Sequence, residues 1–262
     1  MNEASAAQNT APCPYLSIVI PVYNESNRIS VSLRKFDSWV TAQSFEVEVL
    51  VVDDGSTDNT RSQARDFATT HPWLTVIEED HRGKANAVLA GLGKTRGTFA
   101  GFCDVDLATP LDTWQLCEEA FAEGASVAIA SREGTGSYRV GEPWYRHAMG
   151  RAFNGLVRLL LLPGIHDTQC GYKFFSRAAL DDILPRTRLY RDANRVSRPR
   201  VTAFDVELLH IARRHGFRIA VIPITWTYGE HTKVNAVTDT LQNLRDVLAV
   251  RWYATAGEYD RD

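Results

Sequence analysis

Phe45-Glu46-Val47-Glu48-Val49-Leu50-Val51-Val52-Asp53-Asp54-Gly55-Ser56-Thr57-Asp58 sets an apolar run against a cluster of acids, hydroxyls and one glycine. Such a run, bounded by turn residues, predicts a strand buried on both faces, as in parallel sheets. Upstream, Tyr15 to Tyr23 repeats the pattern and leads into Asn24-Glu25-Ser26, which predicts a strand and then a helix to about Ala42. Downstream, a helix is expected from Asn59 to Thr69 and a strand from Leu74 to Ile77. After His81-Arg82-Gly83-Lys84 a helix should run through Ala90, and a further strand ends at Cys103-Asp104. Repeated alternation of strand and helix is the syntax of an α/β, Rossmann-like fold, with a mixed but mostly parallel sheet flanked by helices. Ligands of such sheets gather beyond the carboxyl ends of the strands, where each of these polar clusters falls.

The second half extends the pattern. Val127 to Ala130 predicts a strand, and the glycines of Glu133 to Pro143 predict a mobile loop. From Trp144 to Leu162 a helix interleaves Arg146, Arg151 and Arg158 with Phe153, Leu156, Leu159 and Leu160, which suits packing on the core or lying against lipid. A polar turn and strand follow at His166 to Phe175, then a short helix at Leu180 to Leu184 and an arginine-rich segment, Arg186 to Arg200, read as a solvated loop. Ala203 to Arg214 is a helix stopped by His215-Gly216, and Phe217 to Pro223 is a last core strand. Residues 237–252 form an amphipathic helix with Leu241, Leu244 and Leu248 in its stripe.

With 262 residues, 44% of them apolar, the chain can bury a full core. One domain is expected over residues 15–252, with a disordered leader at 1–14 and a frayed acidic tail at 253–262. A formal charge of −3 argues against nucleic acid as a partner. Cys13, Cys103, Cys117 and Cys170 lack metal-ligand spacing and predict reduced thiols in the cytoplasm. No run reaches the roughly 18 apolar residues of a membrane span, so any membrane contact is expected to be peripheral.

The chemistry concentrates in Gly101-Phe102-Cys103-Asp104-Val105-Asp106-Leu107-Ala108-Thr109-Pro110. Strand alternation predicts Asp104 and Asp106 on one side with Val105 turned away. Two hard oxygen ligands suit Mg2+ or Mn2+, and an ion so held neutralises a diphosphate. In isolation, one of the pair could instead cap the coming helix and the other be a solvated loop charge.

Ile20-Pro21-Val22-Tyr23-Asn24-Glu25, Val51 to Asp58, Gly83-Lys84-Ala85-Asn86-Ala87 and Asp104-Val105-Asp106 follow one another as in the family 2 inverting glycosyltransferases of GT-A fold. The chain resembles that family from Leu16 to Trp252. Asp167-Thr168-Gln169-Cys170-Gly171-Tyr172-Lys173 and Phe204-Asp205-Val206-Glu207 look most like its dolichyl (polyprenyl) phosphate β-glucosyltransferase branch. The resemblance implies a nucleotide-sugar donor, UDP-glucose ahead of GDP-mannose. It implies a polyprenyl phosphate acceptor, with a soluble hydroxyl acceptor as the alternative and a nucleotide-binding module as the non-enzymatic reading. Asp106 becomes the principal metal ligand, assisted by Asp104. Pro21 and Tyr23 would flank the nucleobase, Glu25 would meet the ribose, Asp53 or Asp54 would accept a base N–H, and Lys84 would meet phosphate or base edges. Asp58 is expected to cap the following helix. Arg132 and Arg139 would grip an acceptor phosphate, with Gln169 beside it. Asp205 takes the position of a general base and should stay ionised at its helix start. A phosphomonoester, with a second pKa of about 6, needs no such base.

Overall fold

The computed structural model describes residues 13–141, 144–190, 202–227 and 236–260. Strand β1 (Leu16–Val22) pairs in parallel with β2 (Val47–Asp54) on one side and β4 (Phe99–Cys103) on the other, and β3 (Leu74–Glu79) continues the parallel set beyond β2. β7 (Tyr172–Ser176) runs antiparallel to both β4 and β5 (Val127–Ser131), and β8 (Ile219–Pro223) lies parallel to β5. The order is β3-β2-β1-β4-β7-β5-β8, a mostly parallel sheet as expected. The chain winds outward from β1 to β3 and then returns to β1's other edge with β4. That reversal opens a crevice beyond Val22 and Cys103, the place where such sheets bind ligands.

Side-chain alternation divides the core in two. Val19, Leu50, Val52 and Phe102 face one layer, built from α3 (Lys84–Leu92), α5 (Trp144–Leu160), α6 (Arg177–Arg186), α7 (Phe204–Arg214) and α8 (Ala236–Thr255). Ile18, Ile20, Val49, Val51 and Cys103 face the other, built from α1 (Ile29–Thr41), α2 (Thr60–Ala68) and α4 (Thr113–Ala122). Apolar residues at odd and even positions alike are therefore buried, the physical meaning of the continuous runs. In β4 a side chain at Gly101 would put its Cβ 2.2 Å from the Lys173 carbonyl oxygen, so only glycine lets β7 close on β4.

Three expectations are corrected. The segment read as a mobile loop contains β6 (Tyr138–Val140), paired in parallel with β9 (Thr225–Thr227). Two three-residue strands distant in sequence carry no periodicity by which either could be seen alone. The tail is not frayed: Tyr259 is fully buried and donates to Glu207 at 2.9 Å, while Arg214 and Asp260 pair at 2.5 Å. In the segment read as a solvated loop, Arg186 pairs with Asp182 at 3.1 Å and Arg188 approaches Glu258 at 3.8 Å. Its remainder, 191–200, and the leader up to residue 12 lie outside the described residues. All four cysteines are free thiols. Among the described residues no helix is long and apolar enough to cross a membrane.

Candidate active site

The two central carboxylates come together by a turn, not by strand alternation. β4 ends at Cys103; the Asp104 N–H donates to the Gly171 carbonyl at 3.0 Å, and the Leu107 N–H returns to the Asp104 carbonyl at 3.1 Å. Leu107 takes φ 52°, a left-handed conformation that costs about 1 kcal/mol in a non-glycine residue. The turn buries Val105 and leaves Asp106 exposed, with one carboxylate oxygen accepting from the Ala108 N–H at 3.1 Å. Although Asp106 reaches solvent, partial desolvation in the cleft and the neighbouring Asp104 charge push its carboxyl up, against Lys84 and Arg28. A divalent cation would relieve that like-charge pressure, so the pair fits Mg2+ or Mn2+. No group of three or more His, Cys, Asp or Glu side chains is arranged for a metal among the described residues. Two carboxylates suit an ion that completes its shell with water and ligand phosphates.

Lys84 opens α3 and forms an ion pair with Asp104. Partial desolvation in the cleft disfavours its ammonium, but Asp104, Asp205 and Asp106 all act on it and hold its pKa above the ordinary value. Four predicted residues from three elements thus converge electrostatically. Gly171 shapes the same spot: a Cβ there would lie 2.0 Å from Asp104 Oδ2.

The first loop is stitched to the second. Asn24, at φ 52°, accepts from the Thr57 N–H at 2.8 Å, and its own N–H donates to Ser56 Oγ at 2.9 Å. Pro21 is buried in β1. Tyr23 stacks flat on His81, with centroids 3.9 Å apart. Glu25 pairs with Arg28 at 2.9 Å. Asp58 accepts from the Thr60 N–H at 2.9 Å in the first turn of α2, as expected of a cap, and from the Ser26 N–H at 3.1 Å. Burial works against the Asp58 carboxylate, but the bonds from Thr60 and Ser26 prevail and lower its pKa to about 2.

Asp53 and Asp54, expected to accept from a base, already accept from groups of the protein. Asp53 is fully buried, paired with Arg61 at 2.8 Å and accepting from the Ser56 N–H at 3.2 Å. Asp54 accepts from His81 Nδ1 at 2.7 Å and from the Arg82 and Gly83 N–H groups at 2.8 and 3.0 Å. Its work is to fix the turn that launches α3, and burial raises its carboxyl despite those donors. His81, absent from the sequence-derived site, is the residue Asp54 delivers against Tyr23. Its Nε2 is buried without a partner among the described residues. Only that stacking identifies it, and sequence spacing carries no trace of it.

The acceptor side differs more. Arg132 makes a two-pronged pair with Asp167, Nε to Oδ2 at 2.7 Å and Nη2 to Oδ1 at 2.8 Å, and its guanidinium lies 5.2 Å from the Trp226 ring. Asp167 is fully buried; desolvation opposes its charge, yet Arg132 holds it well below the usual carboxylate range. Arg139 pairs with Glu133 at 3.0 Å. Both guanidiniums, expected to grip an acceptor, are therefore engaged with protein carboxylates. The side chain of Arg146 lies outside those described. Gln169 retains a buried amide nitrogen without a partner among the described residues.

Asp205 is the second residue of α7, as predicted, but it is neither free nor solvated. It is 5% exposed and bonded at 3.0 Å to Lys173, itself fully buried and donating also to the Cys170 carbonyl at 2.5 Å. Burial raises the Asp205 carboxyl, and Lys173 opposes that shift.

The profile of the family described as Glycosyl transferase family 2 matches residues 17–184. The dolichyl-phosphate beta-glucosyltransferase of Homo sapiens is 30% identical over 258 residues, covering 92% of this chain and 76% of its own. That of Dictyostelium discoideum is 27% identical over 252 residues, covering 91% and 74%. Glycosyltransferase AglD of Haloferax volcanii is 31% identical over 258 residues, which are 97% of this chain but 39% of AglD. Two solved structures share the fold. Mannosyltransferase PcManGT from Pyrobaculum calidifontis, in complex with GDP-Man and Mn2+, matches with TM-score 0.61 at 23% identity over 90% of this chain and 63% of that one. Glucosyl-3-phosphoglycerate synthase from Mycobacterium tuberculosis, with Mn2+, UDP-Glc and phosphoglyceric acid, gives TM-score 0.59 at 21% identity over 93% and 80%. A converged acidic site at the switch point of a GT-A sheet, and a family profile spanning more than half the sequence, lead to one conclusion: the chain is a glycosyltransferase and belongs to glycosyl transferase family 2.

Proposed function

We propose that the chain transfers glucose, with inversion, from UDP-glucose to a polyprenyl phosphate at the cytoplasmic surface of a membrane. The observation that carries the choice of acceptor is Asp205, buried and bonded to Lys173 at 3.0 Å. A hydroxyl acceptor needs a base free to take its proton, whereas a phosphate arrives as an anion and needs only positioning. The names of the human and Dictyostelium relatives support the same acceptor and the glucosyl donor.

Asp106, with Asp104, would hold Mg2+ or Mn2+, which supplies charge neutralisation to the donor diphosphate. Lys84, freed from Asp104, would turn to a donor phosphate at the start of α3. Tyr23 offers its ring to the base and Glu25 its carboxylate to the ribose. Asp53 and Asp54 act one step back, by holding Arg61, His81 and Arg82. Gln169 offers its unpartnered amide to the acceptor. Arg132 and Arg139 set the wall behind it.

Purified protein given labelled UDP-glucose and a polyprenyl phosphate should move label into the lipid phase, and EDTA should abolish the transfer. Asp106→Asn should cut turnover about 100-fold or more while leaving the unfolding midpoint nearly unchanged. Asp205→Asn, corrected for folded fraction, should spare phosphate glycosylation. A loss of about 10²–10⁴-fold, with turnover only of hydroxyl compounds, would replace the lipid phosphate by a soluble acceptor. Preference for GDP over UDP in calorimetric titration would reassign the donor to GDP-mannose.

A further inference from the structure

α5 contains three arginines and no acidic residue, and of the eleven large hydrophobic side chains exposed on the described surface six lie on α5 and α8. Trp144 and Leu159 are each 81% exposed, and Trp252 is 62% exposed. The two helices pack against each other, and Leu159 of α5 and Arg251 of α8 border the same groove. Asp246, the carboxylate of α8 whose placement is described, is turned inward to Tyr190 at 2.7 Å.

Beside this face, where α5 and α7 end against α8, lies an open groove of about 400 Å3. Leu159 stands at its rim, and His210, Arg213, Arg214 and Arg251 line it. Arg214 is neutralised by Asp260 at 2.5 Å. Arg213 and Arg251 have no carboxylate partner among the described residues; they donate to the carbonyls of Pro163 and Leu160, the latter at 3.4 Å. One bond each leaves most of the five N–H donors of each guanidinium uncommitted. His210 Nδ1 meets the Leu161 carbonyl at 3.4 Å, and its Nε2 is buried with no partner among the described residues. The groove is thus rich in unspent donors, doubly positive and rimmed by apolar side chains.

We propose that this groove binds the phosphate of an anionic phospholipid, and that the α5–α8 face docks the enzyme on an anionic bilayer. A flat bilayer with negative headgroups is the partner that satisfies both features: arginines take phosphates while Leu159 and Trp252 enter the acyl boundary. The site is separate from the transferase centre. Arg213 lies eight residues from Asp205 along α7, about 12 Å at the helical rise. α5 links the two: His147 near its start lies 3.7 Å from Glu133, and Leu159 and Leu160 at its end line the groove.

The test is co-sedimentation of the full chain with vesicles of phosphatidylcholine alone and with roughly one-third phosphatidylglycerol, at low and high salt. No polyprenyl phosphate is present, so the outcome does not depend on the acceptor assignment. Binding should require the anionic lipid and weaken with salt. Arg251→Gln should lower the partition about fivefold, and adding Arg213→Gln about fivefold again. Arg213 also ties α7 to the end of α5, so Leu159→Asp, at an exposed position, is the companion variant that should also reduce binding. UDP affinity should stay unchanged in all three. Equal binding to neutral vesicles, or variants that partition like the parent, would overturn the proposal. So would competition by millimolar inorganic phosphate accompanied by a rise in melting temperature, which would make the groove a pocket for a free anion.

Discussion

Asp167 and Arg132 show how a residue's burial changes the meaning of its charge. Read alone, Arg132 beside a glycine-rich loop is a phosphate clamp; folded, it is the counter-ion of a fully buried carboxylate. Arg132→Ala should therefore cost about 3–5 kcal/mol in urea unfolding, because it strands the Asp167 charge. The double replacement Arg132→Met with Asp167→Leu should cost less than that single change, which a denaturation series of the three proteins would check. Gly171 makes a complementary case. Its hydrogen stands where a methyl would meet the Asp104 carboxylate at 2.0 Å. Gly171→Ala should displace that carboxylate and lower turnover about 100-fold with little loss of stability. Retention of full activity would mean that Asp104 does not need its observed position.

At the scale of elements, the start of α7 anchors the segments around it. Glu207 accepts from the Arg188 and Leu189 N–H groups at 2.7 and 3.0 Å and from the Tyr259 hydroxyl at 2.9 Å, joining the end of α6, α7 and the C-terminal turn. Burial pushes its carboxyl from 4.5 up to about 7, against those donors. A carboxyl raised in the folded state binds its proton more tightly there than in the unfolded chain. Its contribution to stability is then present in acid and is lost as pH rises from about 4.5 through about 7, by up to about 3 kcal/mol. Unfolding midpoints at about pH 5 and about pH 8 should show this slope in the parent and a flatter one in Glu207→Gln. Glu207→Ala should instead be destabilising across the range, because it leaves two half-buried N–H groups and the buried Tyr259 hydroxyl without their acceptor.

On the scale of the whole molecule, the C-terminal turn is part of the core. Removing the residues after Thr255 takes out Tyr259, which is fully buried, and should destabilise the protein by about 3–5 kcal/mol in urea unfolding. The buried runs at Leu16–Val22 and Val47–Asp54, the polar residues that end them and the Asp104-Val105-Asp106 pair were legible in the sequence, because strand burial and turn chemistry are local properties. From them followed the α/β sheet and the expectation that ligands gather at its carboxyl edge. What the sequence could not decide was which charges meet. Asp205 with Lys173, Asp54 with His81 and Arg132 with Asp167 are 32, 27 and 35 residues apart, and whether each carboxylate is a free reagent or a neutralised support depends on that partner. Nor could it show that β6 and β9 pair, or that the tail closes over α7. Those outcomes depend on desolvation and long-range contact, which exist only once the sheet has brought distant segments together.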